Sequence, residues 1–374
     1  MFHPCQARIR LDCIRRNLEN VRAFLGPGPR LLLCTKANSY GHGAVAVAAM
    51  VQQAGLADWF GVATVLEALQ LRRGGIRLPI LRFYPSHPDE MAAAVEAGIT
   101  LNVCDRANVK ALQAVCGRLG LGARVHLEVE TGMGRCGVGP EQAPALARFI
   151  ESECPGVFLE GVFTHFPEAD MASGGPFTRR QVAVFRQALD RIAQALGRMP
   201  ELVHAANSGA LVAHPESRFT MLRTGTLAYG YYPPDRPERP IPLEPSLSLV
   251  ARIAHLSFLS QGEGPGTWVA ALPLGLADGI DRRFAQGGRV LVGSRSCPVA
   301  GPIQIDHMFV DLGPGPPARV GDEAVLVGTS CGQEISLYEV AETAGTLPCA
   351  FTACLGPRVE RVHVPLTARP GPGA

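Results

Sequence analysis

RLLLCTKANSYGHGAVAVAAMVQQAG, residues 30–55, joins an apolar run, a lysine where that run ends, a Gly-His-Gly turn and a stretch of helical apolar spacing. It reads as one strand, one loop and one helix. Outward from it the unit repeats. Short apolar runs stand at about 30–35, 60–65, 78–83, 99–103, 123–129, 158–164, 201–206 and 221–228. Stretches of helical length separate most of them, among them DEMAAAVEAG, RANVKALQAVCGRLG and TRRQVAVFRQALDRIAQALG, and LDCIRRNLENVRAFLG (11–26) precedes the first. Alternating strands and helices imply a parallel sheet, and eight units suit a closed (β/α)8 barrel of the TIM type, in the α/β class. An open doubly wound sheet is the alternative.

The rhythm breaks at YYPPDRPERPIPLEP (231–245), which reads as a linker. Beyond it, SLVARIAHLSF, TWVAALPL, RVLVGSRSCPV, HMFVDLG and DEAVLVGTS are short strands punctuated by Gly and Pro, and only SLYEVAETAG looks helical. The expected organisation is a barrel over 1–235 and a mainly β C-terminal domain over 236–374, with PLTARPGPGA at the end frayed. The glycine-rich GPGPPARVG (313–321) lacks the GK[ST] ending of a phosphate loop and reads as a plain turn.

At 374 residues the chain is long enough for two cores. Hydrophobic residues make up 47% and charged residues 18%, and the formal charge of +2 gives no reason to invoke nucleic acid or an anionic membrane. The 11 cysteines are odd in number and form no CxxC pair. Most lie in apolar strands or helices, as Cys34, Cys104 and Cys116 do, which implies free buried thiols in a reducing, cytoplasmic compartment and no metal site. The N-terminus MFHPCQARIRLD has no apolar signal region, and no run of 18 apolar residues is long enough to span a membrane.

In a barrel of this kind, chemistry sits at the C-terminal ends of the strands. Lys36 ends the first strand, and Glu128, Glu130 and Arg135 follow the fifth. His165 ends the sixth, Asn207 and Ser208 follow the seventh, and Arg223 lies on the eighth. A lone strand-end lysine is ordinarily a surface residue. Here Arg greatly outnumbers Lys, and several polar strand ends would converge on one rim.

Four stretches carry a family resemblance: KANSYGHG (36–43), ETGMGRCG (130–137), HAANSGA (204–210) and LRTGTLAYG (222–230). The chain resembles the alanine racemase family from Lys36 to about Gly345. The resemblance implies pyridoxal 5'-phosphate as cofactor, a small amino acid as substrate and a head-to-tail homodimer. Lys36 would bond to the cofactor and then act as base on one face of the substrate Cα. Tyr40, Ser208 and the backbone N–H groups of Gly225 and Thr226 would hold the phosphate, beside Asn207. His165 would lie against the pyridine ring. Arg223 would face the ring nitrogen, with His204 behind it, and a guanidinium there disfavours protonation of that nitrogen. Arg135 would reach the substrate carboxylate or a cofactor oxygen. In many relatives it is steadied by a carbamate-bearing lysine, where this chain has Glu128.

The C-terminal half departs from the family. Its GYADG tyrosine, the second catalytic base supplied by the partner subunit, is Leu276 here, in GLADG, and the loop before it looks shortened. The phosphate-binding tyrosine of TxPYE is replaced in Thr346-Leu347-Pro348-Cys349-Ala350. Ile305 stands where a methionine precedes Asp306, and the arginine-rich ending is reduced to GPRVER. His307 is the best-placed substitute base, since the reference pKa of an imidazole, about 6.5, suits proton transfer. Cys349 and Cys331 are weaker candidates. Three functions stay open: an alanine-type racemase, a one-base lyase, decarboxylase or stereospecific exchange enzyme, and a pyridoxal-phosphate binder without turnover.

Overall fold

The structure, a computed structural model, describes residues 4–233, 238–260, 266–315 and 318–364. It opens on strand β1 (Cys5–Arg10) and a helix, Leu11–Leu25. Two compact units follow from the contacts. One comprises Arg15–Ser39 and Ala44–Glu244, the other Met1–Ile14, Tyr40–Gly43 and Pro245–Ala374.

The first unit is the barrel. Its strands are β2 (Arg30–Cys34), β3 (Trp59–Val62), β4 (Ile80–Pro85), β5 (Thr100–Val103), β6 (Ala123–Glu128), β7 (Val157–Phe163), β8 (Leu202–His204) and β9 (Met221–Thr224). All pair in parallel, and β2 closes the ring on β9. Each of the eight apolar runs is a strand, so the closed barrel displaces the open sheet. Most strands are shorter than their apolar runs, while β4 and β7 keep the full length with their ends shifted. β9 stops at Thr224 because Gly225–Tyr229 turn on themselves, Ala228 N donating to Gly225 O at 3.0 Å.

Strands of a parallel barrel are covered on both faces, which is why β3 and β5 are buried at every residue. The interior of this one is not purely apolar. Asn102, His126 and His204 are fully buried and Glu128 and Arg223 nearly so, against an expectation of bulky aliphatic layers. Trp59 of β3 meets His126 of β6 with ring centroids 5.4 Å apart. These strands are not neighbours, so the contact spans the interior.

The second unit is β-rich. Its strands are β10 (Leu247–Arg252), β11 (His255–Leu259), β12 (Thr267–Leu272), β13 (Arg289–Val292), β14 (Arg295–Pro298), β15 (Met308–Gly313), β16 (Glu323–Ser330), β17 (Gln333–Ile335) and β18 (Glu360–Val364). One sheet runs β14-β13-β16-β10-β1-β18, with β17 on β16, and a second runs β11-β12-β15. β1 lies between β10, antiparallel, and β18, parallel. The expected helix is present as Leu337–Thr343, but it is not alone, since Pro348–Ala353 forms a second, with proline in its first turn. Sequence periodicity does not mark six residues this short.

The linker is packed at its described flanks. Tyr231 and Tyr232 are buried, and the Tyr232 hydroxyl donates to Ile241 O and accepts from Ile241 N. Residues 234–237, where the expected 235/236 boundary falls, lie outside the described residues, as do 262–265 of the loop read as shortened, 316–317 of the stretch read as a plain turn, and 365–374, the end expected to fray. None of the 11 cysteines is in a disulfide. Six are buried, three, including Cys104, are half-buried, and Cys331 and Cys354 are exposed. Among the described residues no helix is long and apolar enough to cross a membrane, and no His, Cys, Asp and Glu cluster could hold a metal ion.

Gly41 sits at φ +85°, and a Cβ there would lie 1.9 Å from the Thr352 carbonyl oxygen. Gly41→Ala combines left-handed strain with overpacking against backbone that cannot yield, so it should cost about 3 kcal/mol. Urea unfolding measures it, and a loss under 1 kcal/mol would contradict the packing described.

Candidate active site

The loop after β2 is an unusual piece of backbone. Ala37, Asn38, Ser39 and Tyr40 lie consecutively in the left-handed region, with φ between 50° and 55°. Each such L residue costs about 1–2 kcal/mol, so the turn persists only because its surroundings enforce it. The constraints are visible. The Glu67 carboxylate accepts from Ala37 N at 2.6 Å with one oxygen and from Ala63 N and Thr64 N with the other. Asn38 Oδ1 accepts from Ala44 N, Ser39 N donates to Thr35 O, and the buried Tyr229 hydroxyl donates to Cys34 O at 2.8 Å. The strand ends at Cys34, so Lys36 heads this turn instead of finishing the strand. Such a turn fixes a side chain more tightly than an ordinary loop would.

Arg223, on β9, is 4% exposed and binds across three strand ends. Its Nη1 donates to His204 Nδ1 at 2.6 Å. Its Nη2 donates to Ala205 O at 2.7 Å, Thr164 O at 2.9 Å and His165 Nδ1 at 3.1 Å. Burial lowers its pKa to about 10, which leaves it cationic at neutral pH. His165 ends the segment after β7. Burial, then Arg223, Arg135 and Lys36, hold its pKa well below the usual imidazole range. Three cations from separate strand ends therefore bear on one neutral imidazole.

Glu128 is the last residue of β6 and is 3% exposed. One of its oxygens accepts from Arg135 Nη2 at 2.6 Å and the other from Asn102 Nδ2 at 2.6 Å. Arg135 also lies 5.3 Å over the Tyr84 ring. Burial disfavours its charge, but Glu128 outweighs burial and the pKa is raised. Glu130 has a different task. Its carboxylate accepts from Gly132 N and Arg135 N. Burial pushes its pKa up, but backbone N–H groups of the GMGR loop pull it below the ordinary value.

Asn207 caps the helix Ser208–Ala213, its Oδ1 accepting from Ala210 N at 3.0 Å. Ser208 Oγ accepts from Gly225 N at 3.0 Å, and the neighbouring Thr226 Oγ1 is buried with no partner. Arg135 Nε is likewise buried and unpaired. Buried polar atoms without partners are rare, and these two suit an anionic ligand with several acceptor oxygens. Ser208, Gly225 and Thr226 thus fit a phosphate, and Lys36, His165 and Arg223 fit the ring of pyridoxal phosphate.

The barrel unit thus brings together Lys36, Arg135, Glu128, His165, His204, Asn207, Ser208, Arg223, Gly225 and Thr226. Tyr40 closes the left-handed turn and groups with the other unit, its carbonyl oxygen 2.9 Å from His42 Nδ1. In that unit Leu276 begins a short helical turn and is 37% exposed, with its N–H on Gln304 O. Asp278 anchors the turn through a two-point pair with Arg358. A Cβ on Gly275 would lie 2.7 Å from His307 N, so His307 shares a corner with Leu276. The imidazole is exposed and its Nδ1 is 2.6 Å from Asp306 Oδ1. Cys349 is half-buried, and Cys331 is exposed at φ 47°.

Sequence reasoning missed Glu67, Asn102, Tyr229 and His126. Glu67 carried a signal, three residues after Thr64 in a capping box. Asn102 and His126 stood out only as polar residues inside apolar strands.

Comparisons with known proteins cover nearly the whole chain. The family profile described as alanine racemase, N-terminal domain matches residues 9–233, and that of the C-terminal domain matches 257–363. Alanine racemase of Cutibacterium acnes is 38% identical over 371 residues, covering 96% of this chain and 98% of the relative. The relative from Symbiobacterium thermophilum is 38% identical over 372 residues, 97% of each. Among solved structures, alanine racemase from a D-cycloserine-producing Streptomyces lavendulae is 35% identical over 98% of both chains, with a TM-score of 0.88. The Clostridium difficile 630 enzyme in complex with cycloserine is 30% identical over 97% of this chain and 96% of its own, also with a TM-score of 0.88.

Burial holds His126 and His204 neutral, with pKa values below the usual 6.5. The unfolded chain protonates them near 6.5, so it binds more protons below that pH. Stability is then complete above about pH 7 and falls as the medium is acidified, by up to roughly 3 kcal/mol per pH unit for two groups. Urea titrations at pH 7.5 and 5.5 should show the drop, and equal stabilities would contradict neutral burial of this pair.

Proposed function

The chain belongs to the alanine racemase family, and on that premise we propose that it is a pyridoxal-phosphate-dependent amino-acid racemase of the alanine-racemase kind. The observation that carries the reading is the convergence of Lys36, Arg135 and Arg223 on the neutral His165, together with a buried Thr226 hydroxyl that has no partner. Pyridoxal phosphate, when bound, delocalises the charge left on an amino acid's Cα after proton removal. The chain's own groups do the rest.

Ser208, Gly225, Thr226 and Tyr40 bind the phosphate, with Asn207 holding the Ser208 segment in place. Lys36 anchors the cofactor and exchanges a proton with Cα on one face. Arg135, steadied by the permanent carboxylate of Glu128, positions the substrate carboxylate or a cofactor oxygen. Arg223 cannot accept a proton, so it keeps the ring nitrogen unprotonated and moderates the electron sink. That favours proton exchange over deeper chemistry.

The other face needs a second donor, because Leu276 has no exchangeable proton. His307 is the candidate. With Asp306 accepting at Nδ1, the proton sits there and Nε2 keeps a lone pair. The substrate is a small amino acid. We further propose barrel and β domains meeting at 235/236, a cytoplasmic location suited to free thiols, and a homodimer in which the Leu276 corner of one protomer serves its partner's site. Light scattering at micromolar concentration should give a dimer mass, and a monomer would overturn that assembly.

Two measurements test the chemistry. The chain has only two lysines, Lys36 and Lys110. Borohydride treatment of the cofactor-loaded protein should leave the pyridoxyl adduct on Lys36 by peptide mass analysis, and an adduct elsewhere would sink the assignment. In deuterated water, both alanine enantiomers should exchange the α-proton and interconvert. His307→Gln should slow interconversion by about 10²-fold, the usual scale for a general acid–base group, and Leu276→Tyr should restore part of it. Exchange of one enantiomer with retention would favour the one-base reading, which the missing tyrosine motivates.

A further inference from the structure

A line of polar side chains runs from Arg223 through the barrel interior to β7. Arg223 Nη1 is 2.6 Å from His204 Nδ1, His204 Nε2 is 2.9 Å from His126 Nδ1, and His126 Nε2 is 3.5 Å from Glu160 Oε2. Glu160 also accepts from Thr100 Oγ1 at 3.3 Å and from Arg124 Nη1 at 3.1 Å, the latter on a side chain that is 68% exposed. The two imidazoles are fully buried. His204 stacks on Phe163 with 2° between planes, and His126 packs on Trp59, so neither ring is free to turn.

The direction of every bond follows from chemistry. A guanidinium has no acceptor, so Arg223 must donate to His204 Nδ1. A neutral His204 then carries its proton on Nε2 and donates it to His126 Nδ1. His126 in turn carries its proton on Nε2, the nitrogen that faces Glu160. The last contact is long for a hydrogen bond, so its effect is mainly that of a carboxylate charge on a nearby N–H, in surroundings that screen weakly. Polarisation passes along such a chain: the carboxylate makes His126 a better acceptor, hence His204 a better acceptor, hence Arg223 a less strongly cationic donor.

We infer that Glu160 is a positioning residue that sets, through His126 and His204, the charge Arg223 presents at the barrel mouth. It touches neither substrate nor cofactor. The functional half of this inference rests on the reading of Arg223 as the residue facing the cofactor ring nitrogen. In that reading the chain makes the pyridine nitrogen's environment depend on a carboxylate several side chains away.

The test begins without cofactor. Apo-protein labelled with ¹⁵N-histidine should show His126 and His204 as neutral Nε2–H tautomers. Glu160→Gln, which keeps an acceptor and removes the charge, should shift the nitrogens of both histidines, and Glu160→Asp should return them most of the way. Arg124→Leu, at an exposed position, leaves the Glu160 charge less compensated and should shift the same nitrogens in the opposite sense; it decides the matter even if Glu160→Gln folds poorly. His204 nitrogens that stay put in these variants overturn the relay. With pyridoxal phosphate bound, Glu160→Gln should move the visible absorption band and lower kcat on the order of 2- to 30-fold, the range for residues coupled through a packed network, with KM little changed. An unaltered band and kcat alongside shifted His204 nitrogens overturn the tuning role. A protein that binds no pyridoxal phosphate fails the functional reading instead, and the apo resonances still decide the relay.

Discussion

A buried guanidinium organises the barrel mouth. Arg223 is nearly inaccessible to water, and a cation there is tolerable only if its donors are met. They are met by the Thr164 and Ala205 carbonyls and by ring nitrogens of His165 and His204. These acceptors come from the ends of β7 and β8, so the arginine ties adjacent strand ends together as it is satisfied. Burial first, and this charge second, keep the two neighbouring imidazoles neutral. Removing the arginine would leave carbonyls without donors and free both histidines to change tautomer.

The same logic extends down the interior. A barrel core is ordinarily filled with aliphatic side chains, which need no partners. This one holds His126, His204, Asn102 and Glu128, and each requires them. Asn102 bridges the Phe83 carbonyl and the Glu128 carboxylate, and Glu128 in turn fixes Arg135. Such networks specify one arrangement sharply, because a partial network costs more than an apolar core. A site whose cations must hold fixed positions gains from that rigidity.

The β-rich unit shows a different balance. Its scaffold at the Leu276 corner is well anchored by Asp278 and Arg358 and by backbone bonds from Leu276 and Ala277 to Gln304 and Ile305. Leu276 itself has no exchangeable proton, and the Asp306–His307 pair shares its corner. The corner is a fixed frame around one apolar side chain and an ionisable pair.

Much of this was legible in the chain. Eight apolar runs separated by helical spacing marked a parallel α/β sheet, because strands covered on both faces must be apolar throughout, and their number suited a barrel whose closure the β2–β9 pairing decided. KANSYGHG, HAANSGA and LRTGTLAYG marked the site, because a cofactor needs particular residues at strand ends. Other features depended on the folded backbone. The left-handed turn at Ala37–Tyr40 has no signature in its own residues, since none is glycine; Glu67 and Tyr229 impose it from elsewhere in the fold. The placement of β1 between β10 and β18 joins the first residues to the last, a pairing no local pattern encodes. The line from Arg223 to Glu160 likewise links β9, β8, β6 and β7, whose side chains meet only once these strands have paired side by side in the curved sheet. Local periodicity fixes elements because it reflects burial of one stretch of chain, whereas hydrogen-bond partners across a barrel are set by closure, which brings distant strands within reach.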